Sequence, residues 1–292
     1  APNTQRAIFA YGNSGSVTNI SNLVNSSGVV AADVSGVGTA RAGLAAATYG
    51  GDKAIFAFGS GYSNLSNLVT NQGVVGSDQT GVGTARDYLA ATSYGGDKAI
   101  FGYGNIYSGG YVIYSLKNLV SNQGVVATDV TGVGTARREL SATTYGGDKG
   151  MFAYGNSGGA TYVSLKNLIS NTGVVAADVS GVGTARSLLA AATYGEDKSI
   201  FAYGYTGSNV SMSNLVSNSG VVAADVTGVG TARRASSGSG YGGDKGVFAY
   251  GYSSANVSLK NLVNNSGVIA ADVTGVGTAR NGVAAAGYST SA

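Results

Sequence analysis

Two charged series hold most of the chemistry this sequence offers. Gly-Val-Gly-Thr-Ala-Arg occurs six times, ending at Arg41, Arg86, Arg137, Arg186, Arg233 and Arg280. Ahead of each copy, a run of the type Gly-Val-Val-Ala-Ala-Asp-Val supplies Asp33, Asp78, Asp129, Asp178, Asp225 and Asp272. Glycoside hydrolysis needs a single pair of carboxylates at a defined separation in unlike environments, and a series copied six times supplies none. The pattern predicts structural work instead, with Arg bridging Asp across or between repeats in bidentate geometry. Its functional alternative is a ring of inward-facing arginines around an anion. A further series, Asp52-Lys53, Asp97-Lys98, Asp148-Lys149, Asp197-Lys198 and Asp244-Lys245, flanks a turn. The acids outside these series are Asp87, Glu139 and Glu196, and none is expected to carry turnover.

Absences narrow the chemistry further. The chain has no His and no Cys, which removes the commonest general base, the Ser/His/Asp relay and the usual zinc ligands. No catalytic residue, metal or cofactor is expected, and the chain reads as a non-enzyme. The Gly-Val-Gly stretch lacks the third glycine and the helix of a dinucleotide fingerprint; six copies followed by strands read as connections whose glycines permit positive φ. With 17 basic against 14 acidic residues, no strong field exists to attract a phosphate backbone, so nucleic acid is not an expected partner. No apolar run reaches the ~18 to 20 residues of a membrane helix, and membrane insertion is not expected.

The elements that position these groups follow from the repeat. Its period is 45 to 51 residues, the range of propellers and solenoids. With 49 glycines in 292 residues and short apolar runs, helix is disfavoured. Each unit reads as four strands: Leu-Ala-Ala-Ala-Thr-Tyr, Lys-Ala-Ile-Phe-Ala-Tyr-Gly, a run around Asn-Leu, and Gly-Val-Val-Ala-Ala-Asp-Val. A Gly-Gly pair between the first two marks a hairpin. The first strand is small enough for a crowded axis, and neither terminus resembles a polar cap. The expectation is therefore one all-β domain over 1–292, a six-bladed β-propeller of four-stranded blades. Its blades would be 283–289 with 6–34, 43–80, 88–131, 138–180, 187–227 and 234–274, and the C-terminal strand would pair with Ala7 to Gly12 to hide two edges.

A scaffold of this kind varies in its loops, and function concentrates there. The loops after the second strand differ most and carry Tyr62, Tyr107, Tyr111, Tyr114, Tyr162, Tyr205 and Tyr252 among Ser, Gly and Asn. Tyr supplies rigid contact area while Ser, Gly and Asn supply adaptable hydrogen bonds, so these tyrosines are the candidate ligand-binding residues; their bland reading is polar hairpin tips. The connections into each first strand also vary, as in Asp87-Tyr88, Arg138-Glu139 and Arg234-Ala235. They are expected on the opposite face or at the mouth of a central channel, as a solvated rim.

The order of an Arg, two variable residues, a small apolar strand, a turn and an aromatic strand ending in Gly resembles the kelch repeat over nearly the whole chain. One glycine follows the second strand here where kelch blades usually carry two, and the chain has no Trp. Its wording, as in Asn-Leu-Val-Ser-Asn-Ser-Gly-Val-Val-Ala-Ala-Asp-Val, is more similar to kelch-like repeat proteins of tailed bacteriophages. That resemblance implies a virion component on the tail or capsid surface, with other virion proteins or a host-surface glycan or protein as partners; without it, the chain reads as soluble, cytoplasmic or secreted. A lectin or adhesin with equivalent sugar sites between blades is the alternative expectation.

Overall fold

The computed structural model describes residues 5–290, and every regular element in it is a strand. In chain order these are β1 (Arg6–Asn13), β2 (Val17–Val24), β3 (Ala45–Tyr49), β4 (Lys53–Ala57), β5 (Ser66–Val69), β6 (Ala90–Tyr94), β7 (Lys98–Gly102), β8 (Asn105–Tyr107), β9 (Tyr111–Ile113) and β10 (Lys117–Val120). They continue as β11 (Ser141–Tyr145), β12 (Lys149–Ala153), β13 (Lys166–Ile169), β14 (Ala190–Tyr194), β15 (Lys198–Ala202), β16 (Ser213–Val216), β17 (Ser237–Tyr241), β18 (Lys245–Ala249), β19 (Lys260–Val263) and β20 (Ala284–Tyr288). Between paired Tyr49 and Lys53 lies a three-residue turn in which Gly50 and Gly51 have φ of 62° and 82°. That is the left-handed region which glycine enters without a Cβ penalty.

The expected six-bladed propeller of four-stranded blades is not what forms. The strands make seven separate sheets, six of three antiparallel strands and one two-stranded hairpin, β8–β9, and no sheet closes on itself. The missing member is the Gly-Val-Val-Ala-Ala-Asp-Val run, which meets the third strand only at isolated bridges such as Val24↔Val30 and Ser21↔Val34. Between those bridges Ala31, Ala32 and Asp33 face only Asn22 and Leu23, and such an extra residue breaks a ladder. Asn22 fixes the break: fully buried, it donates from Nδ2 to the Ala31 carbonyl at 3.0 Å and to Asp33 Oδ1 at 2.9 Å. A side chain thus takes the place of the backbone pairing that a fourth strand requires.

The terminal strand does pair where its sequence suggests. β20 runs antiparallel to β1, with Arg6 opposite Tyr288 and Ala10 opposite Ala284, so the first sheet is assembled from both ends of the chain in the order β2-β1-β20. The first strands of successive sheets then neighbour one another, β3 beside β6, β6 beside β11, β11 beside β14, β14 beside β17, β17 beside β20 and β20 beside β3. Backbone hydrogen bonds tie that cycle together. Tyr88 N donates to Gly43 O at 2.7 Å, Glu139 N to Tyr88 O, Leu188 N to Glu139 O, Ala235 N to Leu188 O, Gly282 N to Ala235 O, and Gly43 N returns to Gly282 O at 3.0 Å. All six residues have positive φ, between 50° and 63°, so the ring orders non-glycine residues in a conformation they ordinarily avoid. The repeated all-β sheets are consistent with a propeller-like body.

Aromatic rings fill the spaces between sheets. Tyr11 packs on Phe56, Phe58 on Phe101, Tyr103 on Phe152, Tyr154 on Phe201, Tyr203 on Phe248 and Phe9 on Tyr250, with centroids 5.1 to 5.5 Å apart. Tilted and edge-on contacts of this kind add about 0.5–1.5 kcal/mol each beyond the area they bury.

Candidate functional site

The repeated arginines are consumed inside the scaffold. Arg86 is fully buried and donates from Nε to the Tyr103 carbonyl at 2.7 Å, from Nη1 to the Thr84 carbonyl at 3.0 Å and from Nη2 to Asn118 Oδ1 at 2.7 Å. Its guanidinium lies 4.4 Å from the centroid of Phe58 in the preceding sheet, so one side chain rivets two sheets. Arg41, Arg137, Arg186, Arg233 and Arg280 repeat the arrangement over Tyr11, Tyr103, Tyr154, Tyr203 and Tyr250. The expected bidentate Arg–Asp contact does not form: Nη1 stands 3.6 to 4.0 Å from the carboxylate throughout. Thr84 occupies Asp129 instead, donating from its backbone N at 2.8 Å and its Oγ1 at 2.6 Å to Oδ2, while Asn118 takes Oδ1 at 2.9 Å. Burial pushes these aspartates up, but hydrogen bonds from Thr and Asn outweigh it and hold Asp33, Asp78, Asp129, Asp178, Asp225 and Asp272 below the ordinary carboxylate value. The arginines, stacked between sheets, form no inward ring for an anion.

The variable residues gather at one end. Of the two places expected for the connections into the first strands, the opposite face is wrong: bridges Asp87↔Asn105, Arg138↔Asn156, Ser187↔Tyr205, Arg234↔Tyr252 and Asn13↔Asn281 set them beside the tyrosine loops, and Gly43, Tyr88, Glu139, Leu188, Ala235 and Gly282 line a cavity mouth there. Two unlike clusters result. In the first, Tyr107 and Tyr111 of the β8–β9 hairpin stand edge-on at 5.2 Å, each more than half exposed, and the Arg138 guanidinium lies 3.6 Å from the Tyr111 centroid. In the second, Arg234 sits 4.7 Å from the Tyr205 ring and 4.9 Å from the Tyr252 ring, Tyr162 meets Tyr205 at 6.0 Å, and Asn209 Nδ2 donates to the Tyr252 and Ser253 carbonyls. Tyr62 is half exposed in its own turn, and Tyr114 lies at the foot of its loop, its N donating to the Gly104 carbonyl. Five of the seven predicted tyrosines thus join two clusters. Reading by residue type overlooked the doubled arginines Arg137-Arg138 and Arg233-Arg234 as stacking partners, although their departure from the repeat marks them.

Asp87, Arg138 and Glu139 form the only mixed-charge group at this end among the described residues. Arg138 Nε is 3.6 Å from Glu139 Oε1, and Ser187 Oγ donates to Oε2 at 2.9 Å. Burial raises Asp87 to about 6; Arg138 opposes the shift and Glu139 adds to it. No set of three His, Cys, Asp or Glu that could hold a metal ion occurs among the described residues, and no helix long and apolar enough to cross a membrane occurs among them. The opposite end carries the Asp-Lys hairpins, with Lys53 Nζ 2.6 Å from Asp52 and Lys245 Nζ 2.7 Å from Asp244. Glu196 replaces the second turn glycine there, at φ 69°.

No protein-family model matches this chain, and no curated protein matches it.

Proposed function

We propose that the chain is a non-enzymatic structural or binding protein that presents its tyrosine loops to a partner surface. One observation carries this reading: the six repeated arginines are buried between sheets, while the non-repeating Tyr, Arg and Asn residues collect at a single end. Stacked Arg–Tyr groups contribute about 0.5–2 kcal/mol each as their surroundings dry, and Tyr with Arg is the composition of interface hot spots. The likeness of the repeat to kelch-like phage proteins supports placing that surface on a virion, facing a host cell or a neighbouring virion protein.

The test is binding of the purified chain to a glycan array and to intact bacterial cells. Saturable cell binding abolished by Tyr111→Ala with Tyr252→Ala supports attachment through the loop end. Saturable binding to one sugar class turns the reading towards a lectin, though with unlike sites in place of equivalent ones, because the two aromatic clusters differ in composition. Absence of binding to cells and glycans together sinks host attachment and leaves an architectural role.

A further inference from the structure

Residues of the first strands of six sheets, with the connections that precede them, line a cavity of 120 Å³ at the loop end. Its wall holds Leu44, Leu89, Leu140, Leu189 and Val283 at equivalent places in five repeats. The sixth place is Ser236, where Ser-Ser-Gly-Ser-Gly-Tyr stands in for the Leu-Ala-Ala-Ala-Thr-Tyr of other repeats. That exchange removes bulk from one side of the mouth. It also leaves a polar atom idle: Ser236 is 7% exposed, lines the cavity, and its Oγ has no hydrogen-bond partner. Buried hydroxyls are ordinarily satisfied, so an Oγ without a protein partner beside a cavity is free to bond a group that enters it.

The charge at the mouth indicates what that is. Among the described residues, Glu139 is the only charged one lining the cavity. Arg138 Nε lies 3.6 Å from its Oε1, and Asp87 is a second acid within electrostatic reach of the same guanidinium. With two acids to one guanidinium, the group places negative charge beside the cavity, and the Tyr88 ring also lines the mouth.

We infer that the mouth cavity binds an alkylammonium group, its chain among the leucines and its cationic head between Glu139 and the Tyr88 ring. Apolar cavities of about 150 Å³ hold a six-carbon ring, so a cavity of 120 Å³ takes a straight chain of about four carbons. An ammonium donates three hydrogen bonds and accepts none. The Tyr88 face attracts a cation. This site stands apart from the attachment reading, which concerns the exposed tyrosines and is tested with different variants.

The probe is n-butylammonium, with n-butanol as its uncharged counterpart, titrated against the methyl resonances of Leu44, Leu89, Leu140 and Leu189. The expected result is saturable shifts with a Kd in the millimolar range, as befits a ligand this small, and binding about tenfold tighter than butanol's. Glu139→Gln should reduce the amine to the affinity of the alcohol. Ser236→Leu restores the residue found in four other repeats, so it should fold normally, fill the cavity and abolish both interactions. Nα-acetyl-lysine methylamide separates the sources: if it binds too, a partner's lysine side chain fits, and if only butylammonium binds, the ligand is a free amine. Absence of saturable shifts, equal affinity for the alcohol, or unchanged amine binding in E139Q or S236L would overturn the assignment.

Discussion

At the scale of single residues, the buried arginines set the stability. Arg86 makes three directed hydrogen bonds and one stacking contact from a site with no solvent access. A lysine cannot reproduce that planar fork, and a lost partner leaves Asn118 Oδ1 buried and unpaired. Arg86→Lys should cost about 2–4 kcal/mol, read as a fall in the urea midpoint; an unchanged midpoint would show the fork to be dispensable. The carboxylates impose opposite pH dependences. Asp33, Asp129 and their equivalents lie below 3.8 when folded, so their stabilisation is present above the unfolded value and lost as pH falls through the folded one. Asp87, raised to about 6, contributes stability below about 4 that disappears as pH rises through 6. Asp87→Asn should therefore gain melting temperature relative to the parent at pH 7.5 and gain little at pH 4. An equal effect at both values would show that Asp87 ionises normally.

At the scale of elements, close approach and edge pairing decide what is tolerated. Gly181 has no unusual φ, yet a Cβ there would fall 1.3 Å from the Ser164 carbonyl oxygen. Gly181→Ala should consequently destabilise by about 2 kcal/mol or more through forced backbone movement, seen in thermal melts; a wild-type melt would mean the loop shifts freely. Deleting residues 283–292 removes β20 and bares the edge of β1, an invitation to aggregation. The expected outcome is a large drop in melting temperature with visible association, and an unaltered, monomeric melt would contradict the role of the terminal strand. The hairpins and the β1–β20 pairing were legible because short strands, a glycine pair and complementary phases are local signals. The fourth strand was misread: its Val-Val-Ala-Ala alternation is strand-like, but the Asn22 side chain reaching Ala31 and Asp33 is a tertiary event that no period reveals. Positive φ at Tyr11, Tyr103 and Tyr250 was hidden likewise, because tyrosine rarely adopts it.

For the whole molecule, repetition builds the scaffold and departures from it build the surface. Variability in the sequence singled out the loop tyrosines, while it left open whether the connections preceding the first strands lie opposite them or at the mouth beside them. The bridge between Arg234 and Tyr252 joins residues whose proximity depends on how two segments of the same repeat fold back. Nor could it distinguish clustered tyrosines from isolated ones, since Tyr62 and Tyr205 occupy similar sequence contexts.

The measurement that bears most directly on this account is binding to intact bacterial cells by three proteins side by side. These are the parent chain, a loop-end variant with Tyr111→Ala, Tyr205→Ala and Tyr252→Ala, and an opposite-end variant with Lys98→Ala, Lys149→Ala and Lys245→Ala. All should keep parental melting temperatures within a few degrees, because every altered side chain is partly or fully solvated. The account predicts that the loop-end variant loses at least about tenfold in affinity, two or three aromatic contacts being removed, while the opposite-end variant binds as the parent does. Retained binding by the loop-end variant, or its loss in the lysine variant alone, would contradict the claim that this end is the interaction surface.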